Sequence, residues 1–429
     1  MINWLKRHYY WIIIIIMMLQ TSVYGGLANN LSSIFIIPVT EDVGISRSDF
    51  SLAISMRTLV IFIATTFSGT VFNRFGAKIP IIFGLAASGI GYALLTVSES
   101  FLPIALSSSL IGLGESFIGT AAASRIVNAW FHRYQGSMLG LITACTGLGG
   151  GIFSVVLSSI IASAGWRSAR LLSALFLLAA VILAVIFIFN KPDSLGLRPY
   201  GEGYVPKKKA HRNEDDHWSG FTMQQMLRKP TFYLGLLTFF LAGVSIYSAF
   251  TNIAPHLQDQ GMSASDAAIQ NGLMLIFLAV FKFICGSISD IIGPKWVCGI
   301  CITFAAISLW FLTGVNTFAE ATIGVILYSL SVPMLLVMVP LITYPLYGYQ
   351  SHDATLGVFL AMPYLGSLIV NPISNAIYDN CGSYTPVFRA AAVLAVVVLG
   401  MLLLLYYLTK RDQKRFIREN NEDKHTSCD

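Results

Sequence analysis

The sequence predicts an all-α membrane protein, with twelve transmembrane helices in two pseudosymmetric six-helix bundles. Three observations predict it. Of the 429 residues, 55% are hydrophobic and only 11% are charged, and mean hydropathy is +0.70; a soluble domain carries about 25% charged residues. The apolar runs are long and continuous. A hydrocarbon core of about 30 Å takes about 20 helical residues, and a helix satisfies its own backbone in lipid, so continuous runs point to helices over an alternating-strand barrel. Finally, one pattern occurs twice, 217 residues apart: GTVFNRFGAK from Gly69 to Lys78, and GSISDIIGPK from Gly286 to Lys295. The same offset carries Leu139 and Gly140 to Leu356 and Gly357, Leu148 and Gly149 to Leu365 and Gly366, and Gly165 to Gly382. Two related halves in a membrane predict a site between them that opens to each side in turn.

In order, the spans fall at 9–37, 46–72, 79–98, 101–130, 135–163 and 167–190, then 230–258, 264–291, 295–314, 318–347, 353–378 and 384–409. Lys6 and Arg7 ahead of the first run resemble the start of a signal peptide. Apolar character continues to Ile37 without a small-residue cleavage site, so the run reads as a retained helix. Residues 1–190 form the N-terminal bundle, 191–229 a polar linker, 230–409 the C-terminal bundle and 410–429 a charged tail. Within the linker, 221–228 suits a short amphipathic helix on the inner surface. The tail has no apolar run to build a core and is expected to be loose or membrane-skimming.

Basic residues set the orientation. With both termini cytoplasmic, 20 of the 27 Lys and Arg lie inside, in the first loops, the linker and the tail. Arg47, Arg167, Arg170 and Arg389 fall outside, and Arg57, Arg125 and Lys282 within spans. The formal charge of +6 is therefore a topology signal. It gives no case for a nucleic-acid partner, because it is divided between a loop and a tail. A multi-pass protein of the plasma or inner membrane, working as a monomer, is expected. The cysteines make no extracellular disulfide framework; Cys298 and Cys301 form C-x-x-C on an apolar helix without a second ligand pair, which reads as packing. No cofactor or metal site and no nucleophile–base pair stands out, so an enzyme is not expected.

The duplicated loop, the six-plus-six layout and the long linker resemble the major facilitator superfamily. Other segments are similar to its oxalate/formate antiporter and monocarboxylate permease branch. These are GISRSDFS from Gly44, NAWFHRYQG from Asn128, TGLGGG from Thr146, GWR from Gly165 and IYDNCGSY from Ile377. The resemblance implies the major facilitator fold and a secondary transporter. It also assigns the repeated loop to a cytoplasmic gate of Asn73, Arg74, Lys78, Asp290 and Lys295. Glycines there let helices approach closely, and a carboxylate such as Asp290 suits a helix N-terminus or a basic partner. Asn73 stands where the family has an aspartate. A plain turn with topology-obeying charges accounts equally for Arg74, Lys78 and Lys295. The glycines of 147–151 lack a preceding strand and do not make a phosphate loop; they suit close helix packing.

Charges inside a span are costly and are functional candidates by default. Lys282 lies deep in the eighth span with no acid near it in its own helix. The resemblance places at this position, four residues before Gly286, a basic residue, usually arginine, that binds the substrate carboxylate. Lysine keeps the charge and loses the planar fork. Snorkelling or a structural pair is the competing reading. Arg57 and Glu115 lie 11 and 14 residues from the outer ends of spans two and four, within ~5 Å of equal depth. They make either a structural pair, or an anion-binding arginine and a proton-carrying carboxylate. Arg125, near the inner end of span four, reads as a snorkelling anchor. Tyr24, Asn29 and Asn30 in span one, Tyr247 in span seven, and Asn271, three turns from Lys282, are candidate substrate contacts; helix–helix hydrogen bonds are the alternative for each. His256 reads as an interfacial residue, and Tyr328, Tyr344 and Tyr347 as gate or interface residues.

The function that follows is a transporter moving a small organic anion, a carboxylate, by alternating access, coupled to a proton or a counter-anion. The alternatives are an exporter of drugs or amphipathic compounds, and a membrane sensor that binds a similar anion without moving it.

Overall fold

A computed structural model describes residues 2–28, 33–201, 220–348 and 352–426. Twelve helices among them are long and apolar enough to cross a membrane. They are α1 (Ile2–Ala28), α2 (Arg47–Phe75), α3 (Lys78–Leu95), α4 (Phe101–Trp130), α5 and α6 (the two limbs of Gln135–Phe187), α7 (Pro230–Phe250), α8 (Ala264–Ile292), α9 (Pro294–Leu312), α10 (Phe318–Tyr347), α11 (His352–Cys381) and α12 (Thr385–Thr426). Large apolar side chains are exposed in rows, such as Leu59, Ile63 and Phe67 on α2 and Ile79, Phe83, Ile90 and Leu94 on α3. Their four- and seven-residue spacing makes one face per helix, which suits contact with lipid.

Local chemistry sets the helix ends. Ser46 and Asp49 form a capping box ahead of α2, and Thr317 and Glu320 another ahead of α10. Pro230 and Pro294 begin α7 and α9, where a missing N–H costs nothing. At Gly165, φ 81 and ψ 165 break the long helix into α5 and α6. The GWR segment then fastens the turn: Trp166 Nε1 donates to Asp42 (3.0 Å), Arg167 pairs with the same carboxylate, and Arg167 Nε donates to Thr96 O (3.1 Å). The offset of 217 carries Asp42 to Asp259 and Gly165 to Gly382. There Tyr378 donates to Asp259 (3.2 Å) and stacks on Tyr384, while Gly382 has φ 66. The pseudosymmetry thus extends to the contacts that hold each half together.

The first span ends at Ala28, and a separate helix covers Ile36–Val43, so the run to Ile37 is not one helix. Span four breaks at Gly119. Within α10 the turn Met334–Met338 is π-helical, followed by Pro340, which has no N–H to give. The tail corrects an expectation. It is not loose: α12 continues to Thr426, since Lys, Arg, Gln and Glu are strong helix formers. It is also docked. Thr231 donates to Asp412 (2.9 Å), Gln413 to the carbonyls of Pro345 (2.7 Å) and Leu346 (2.9 Å), and Phe416 packs on Phe221. In the linker a short helix spans Met223–Leu227, with Phe221 and Met226 buried.

Two helix pairs join the halves: α2 with α11, and α5 with α8. They cross most closely at the end of the bundle that carries the duplicated loop, hereafter the motif end. A Cβ on Gly136 would fall on Gly286 O, and one on Gly286 would fall on Gly136 O. Only glycine at both positions allows this backbone contact.

Candidate functional site: a central cavity with a lone ammonium

Between the halves lies a cavity of about 220 Å3. Its N-terminal wall includes Tyr24 of α1, Thr58 of α2, Thr120 of α4, and Thr143 and Thr146 of α5. Across from them stand Tyr247 of α7, Lys282 of α8, Leu336 in the π turn of α10, and Tyr364, Ser367 and Asn371 of α11.

Lys282 is 2% exposed. Its Nζ donates to Thr146 Oγ1 (2.8 Å) and, at 3.4 Å, to Thr143 O, both across the interface between halves. Among the described residues no carboxylate pairs with it. An ammonium has three donors, so these two acceptors leave one for the cavity. The charge itself stays uncompensated, in a setting where isolated charges are strongly disfavoured.

Arg57 and Glu115 are together. Arg57 Nε donates to Glu115 Oε2 (2.8 Å), Nη2 pairs with Oε1, and both residues are buried. This two-pronged contact is the strong form of an ion pair. It commits the arginine's fork to a protein carboxylate. The offset of 217 carries Arg57 to Met274 and Glu115 to Val332, and carries Lys282 back to Thr65. The scaffold is pseudosymmetric; its buried charges are not.

Tyr24 and Tyr247 lie on the cavity wall, but Asn271 is not among its described residues; α8 contributes Leu278 and Lys282. Asn29 and Asn30 lie outside the described residues. Thr143, Thr146, Tyr364 and Ser367 were not among the candidates. The last two carried a weak signal, since Tyr364, Ser367 and Asn371 follow i, i+3, i+7 spacing on one helical face. His256 is fully buried, with Nε2 at 2.9 Å from Leu312 O and its ring on Phe388. Burial holds its pKa below the usual histidine range. Tyr328 and Tyr347 donate to Ile246 O (2.6 Å) and Thr231 O (3.0 Å), both within the C-terminal half.

At the motif end, Asp290 accepts from Gly136 N (2.8 Å), Ser137 N (2.8 Å) and Ser137 Oγ (2.6 Å). A carboxylate thus sits on the first turn of α5, where unsatisfied N–H groups and the helix dipole favour it. Asn73 is exposed. Arg125 does not snorkel: it crosses to the other half and pairs with Asp353 at the start of α11. Arg74, Lys78 and Lys295 rest on aromatic rings, with Lys78 Nζ 5.0 Å from the Phe189 centroid and Lys295 Nζ 3.9 Å from that of Tyr406. Arg170, expected outside the membrane, is 6% exposed and packed against Phe35 and Tyr92. It follows the Gly165 turn by more than one helical turn, far enough to enter the bundle.

A sequence profile of the Major Facilitator Superfamily matches residues 11–343 and 240–427. The chain belongs to the Major Facilitator Superfamily. The oxalate:formate antiporter of Oxalobacter formigenes is 20% identical over 396 residues, covering 91% of this chain and 90% of that one. The aspyridones efflux protein of Emericella nidulans is 23% identical over 382 residues, 86% of this chain and 73% of its own. Among solved structures, the proton:xylose symporter XylE bound to 6-bromo-6-deoxy-D-glucose superposes with a TM-score of 0.75 at 12% identity, covering 93% of this chain and 96% of its own. The last likeness establishes the fold.

Proposed function

We propose that this superfamily member is a secondary transporter of a small organic anion, a short carboxylate, and that Lys282 receives the anionic group. One observation carries the reading: the Lys282 ammonium borders the central cavity, is almost wholly buried, and has no carboxylate partner among the described residues. Apolar walls raise the attraction between such a charge and a counter-charge. Threonine and tyrosine hydroxyls around it supply further donors. Arg57 is occupied by Glu115, so it acts on the anion through the field and not by contact, and Glu115 moves a proton only when that pair opens.

The positive-inside pattern supports a cytoplasmic motif end and cytoplasmic termini. In the present state that end is shut, so the cavity is poised for the opposite side. Rocking about the α2–α11 and α5–α8 contacts would expose Lys282 to each side in turn. An empty carrier must reorient with an uncompensated buried charge, while a loaded one is neutral there; the difference favours exchange of one anion for another over uniport.

The test is uptake of radiolabelled short carboxylates by proteoliposomes. Lys282→Ala is expected to abolish it and Lys282→Arg to retain part. Uptake by Lys282→Ala at the wild-type rate would sink the proposal. Transport of lipophilic cations instead of acids would identify an exporter, and saturable acid binding without flux would identify a sensor.

A further inference from the structure

We propose that the N-terminal half holds a second anion site, apart from Lys282, that takes one monovalent, halide-sized anion such as chloride. A compartment of about 30 Å3 lies among α2, α3, α4 and α6. Its polar wall includes Arg57, Arg170 and Ser108, which are 7%, 6% and 9% exposed. Tyr92, Trp166 and Ile111 help close it. A cavity needs about 10–15 Å3 of such space to hold one water, so the compartment admits small, water-sized particles and is too tight for an extended organic acid.

The charge balance selects an anion. Arg57 lines the compartment and gives Nε and one Nη to Glu115; a guanidinium has five N–H donors, so Glu115 does not use them all. The Arg170 guanidinium lies 3.4 Å from the Phe35 ring centroid and 5.2 Å from that of Tyr92. Among the described residues no carboxylate pairs with it. Asp42, beyond Trp166, is already taken by Arg167 and the Trp166 indole. Two arginines and one glutamate therefore leave one net positive charge in the protein interior. Such a charge is strongly disfavoured without a counter-charge, and one monovalent anion neutralises it. The site rests on burial, volume and charge at Arg57 and Arg170, and stands or falls independently of the role given to Lys282.

The experiment is thermal unfolding of the purified full-length protein, with sodium chloride or bromide exchanged for sodium gluconate at constant ionic strength. Gluconate is too large for the compartment. Tm is expected to rise saturably with chloride and with bromide. The rise should persist in Lys282→Gln and vanish in Arg170→Gln. It should also vanish in Ser108→Leu, which fills the compartment and keeps every charge. Crystals grown in bromide should show an anomalous peak between Arg57 and Arg170. Equal Tm in chloride and gluconate, or a rise that survives Ser108→Leu, overturns the proposal. So does a rise lost in Lys282→Gln, which would put the anion in the central cavity. Should Arg170→Gln fail to fold, Ser108→Leu and the bromide peak decide.

Discussion

The duplicated loop builds two junctions at the motif end, and they solve the same problem with different chemistry. In one, Asp290 at the end of α8 reaches Gly136 and Ser137 at the start of α5. The offset of 217 maps Asp290 to Asn73, and Gly136 and Ser137 to Asp353 and Ala354. So the second junction sets a neutral Asn73 at the end of α2 and an acid at the start of α11. That acid pairs with Arg125 of α4. By the pseudosymmetry, an aspartate at position 73 is expected to face the like charge of Asp353. Both junctions keep a glycine for close approach: a Cβ on Gly69 would strike Asp353 O, as one on Gly286 would strike Gly136 O. The lesson is that close backbone approach is kept in both copies, while the carboxylate contact across the halves falls on a different pair of residues.

The sharpest way to break the comparison is steric. Gly286→Leu puts a side chain into the backbone of Gly136, and overpacking of this kind costs about 3 kcal/mol. The motif end should then stay open. A cysteine placed at Thr143 in a cysteine-free background should react with an impermeant thiol reagent from the motif side about 100-fold faster. An unchanged rate would show that the glycine contact does not hold the closed state. Asp290→Asn comes next. It keeps the hydrogen-bonding shape but removes the charge facing the α5 N-terminus, a loss of about 1–2 kcal/mol, read as a roughly tenfold faster reaction in the same assay.

Arg125→Ala should matter less. The Arg125 side chain is 31% exposed and that of Asp353 11%, so after solvent screening the pair contributes about 1 kcal/mol. A double-mutant cycle with Asp353→Asn measures it, and a coupling near zero would remove the pair from the latch. Smallest is Asn73→Asp. Attraction to the α11 N-terminus and repulsion from Asp353 nearly cancel, for a net change within about 0.5 kcal/mol. Adding Asp353→Gly removes that repulsion but also the Arg125 pair, worth about 1 kcal/mol, so the double variant should hold the motif end about as tightly as the unmodified protein. If the two substitutions together still loosen the motif end, the two junctions are not equivalent in geometry.

Much of the fold was legible before any coordinates. Twelve apolar runs, the 217-residue register and the basic loops are periodic or compositional, and such signals survive without tertiary information. Lys282 was legible because an ammonium in an apolar helix contradicts its surroundings. Equal depth made the Arg57–Glu115 contact one of two open readings, and geometry was needed to see the fork engaged. The rest depended on rotation about helix axes and on partners distant in sequence. Arg125 and Asp353 are 228 residues apart, and nothing local announces either as the other's partner. A count of basic residues places Arg170 outside the membrane, yet its helix carries it inward onto Phe35. Tyr364 is an aromatic in an apolar helix, and nothing but the path of the cavity separates it from a core residue. A high charge content does not by itself make the tail loose: the same residues extend a helix that has already been nucleated.

The π turn in α10 carries a mechanical implication. A helix advances about 100° per residue, and a π turn accommodates one residue more than an α turn does. Tightening Met334–Met338 into regular winding would therefore twist everything from Val339 to Tyr347 by about 100° relative to the part of α10 before Met334. Since Gln413 grips Pro345 and Leu346, such a twist would pull on the docked end of α12. Tension there offers a readout of events beside Lys282 from a probe attached well outside the bilayer.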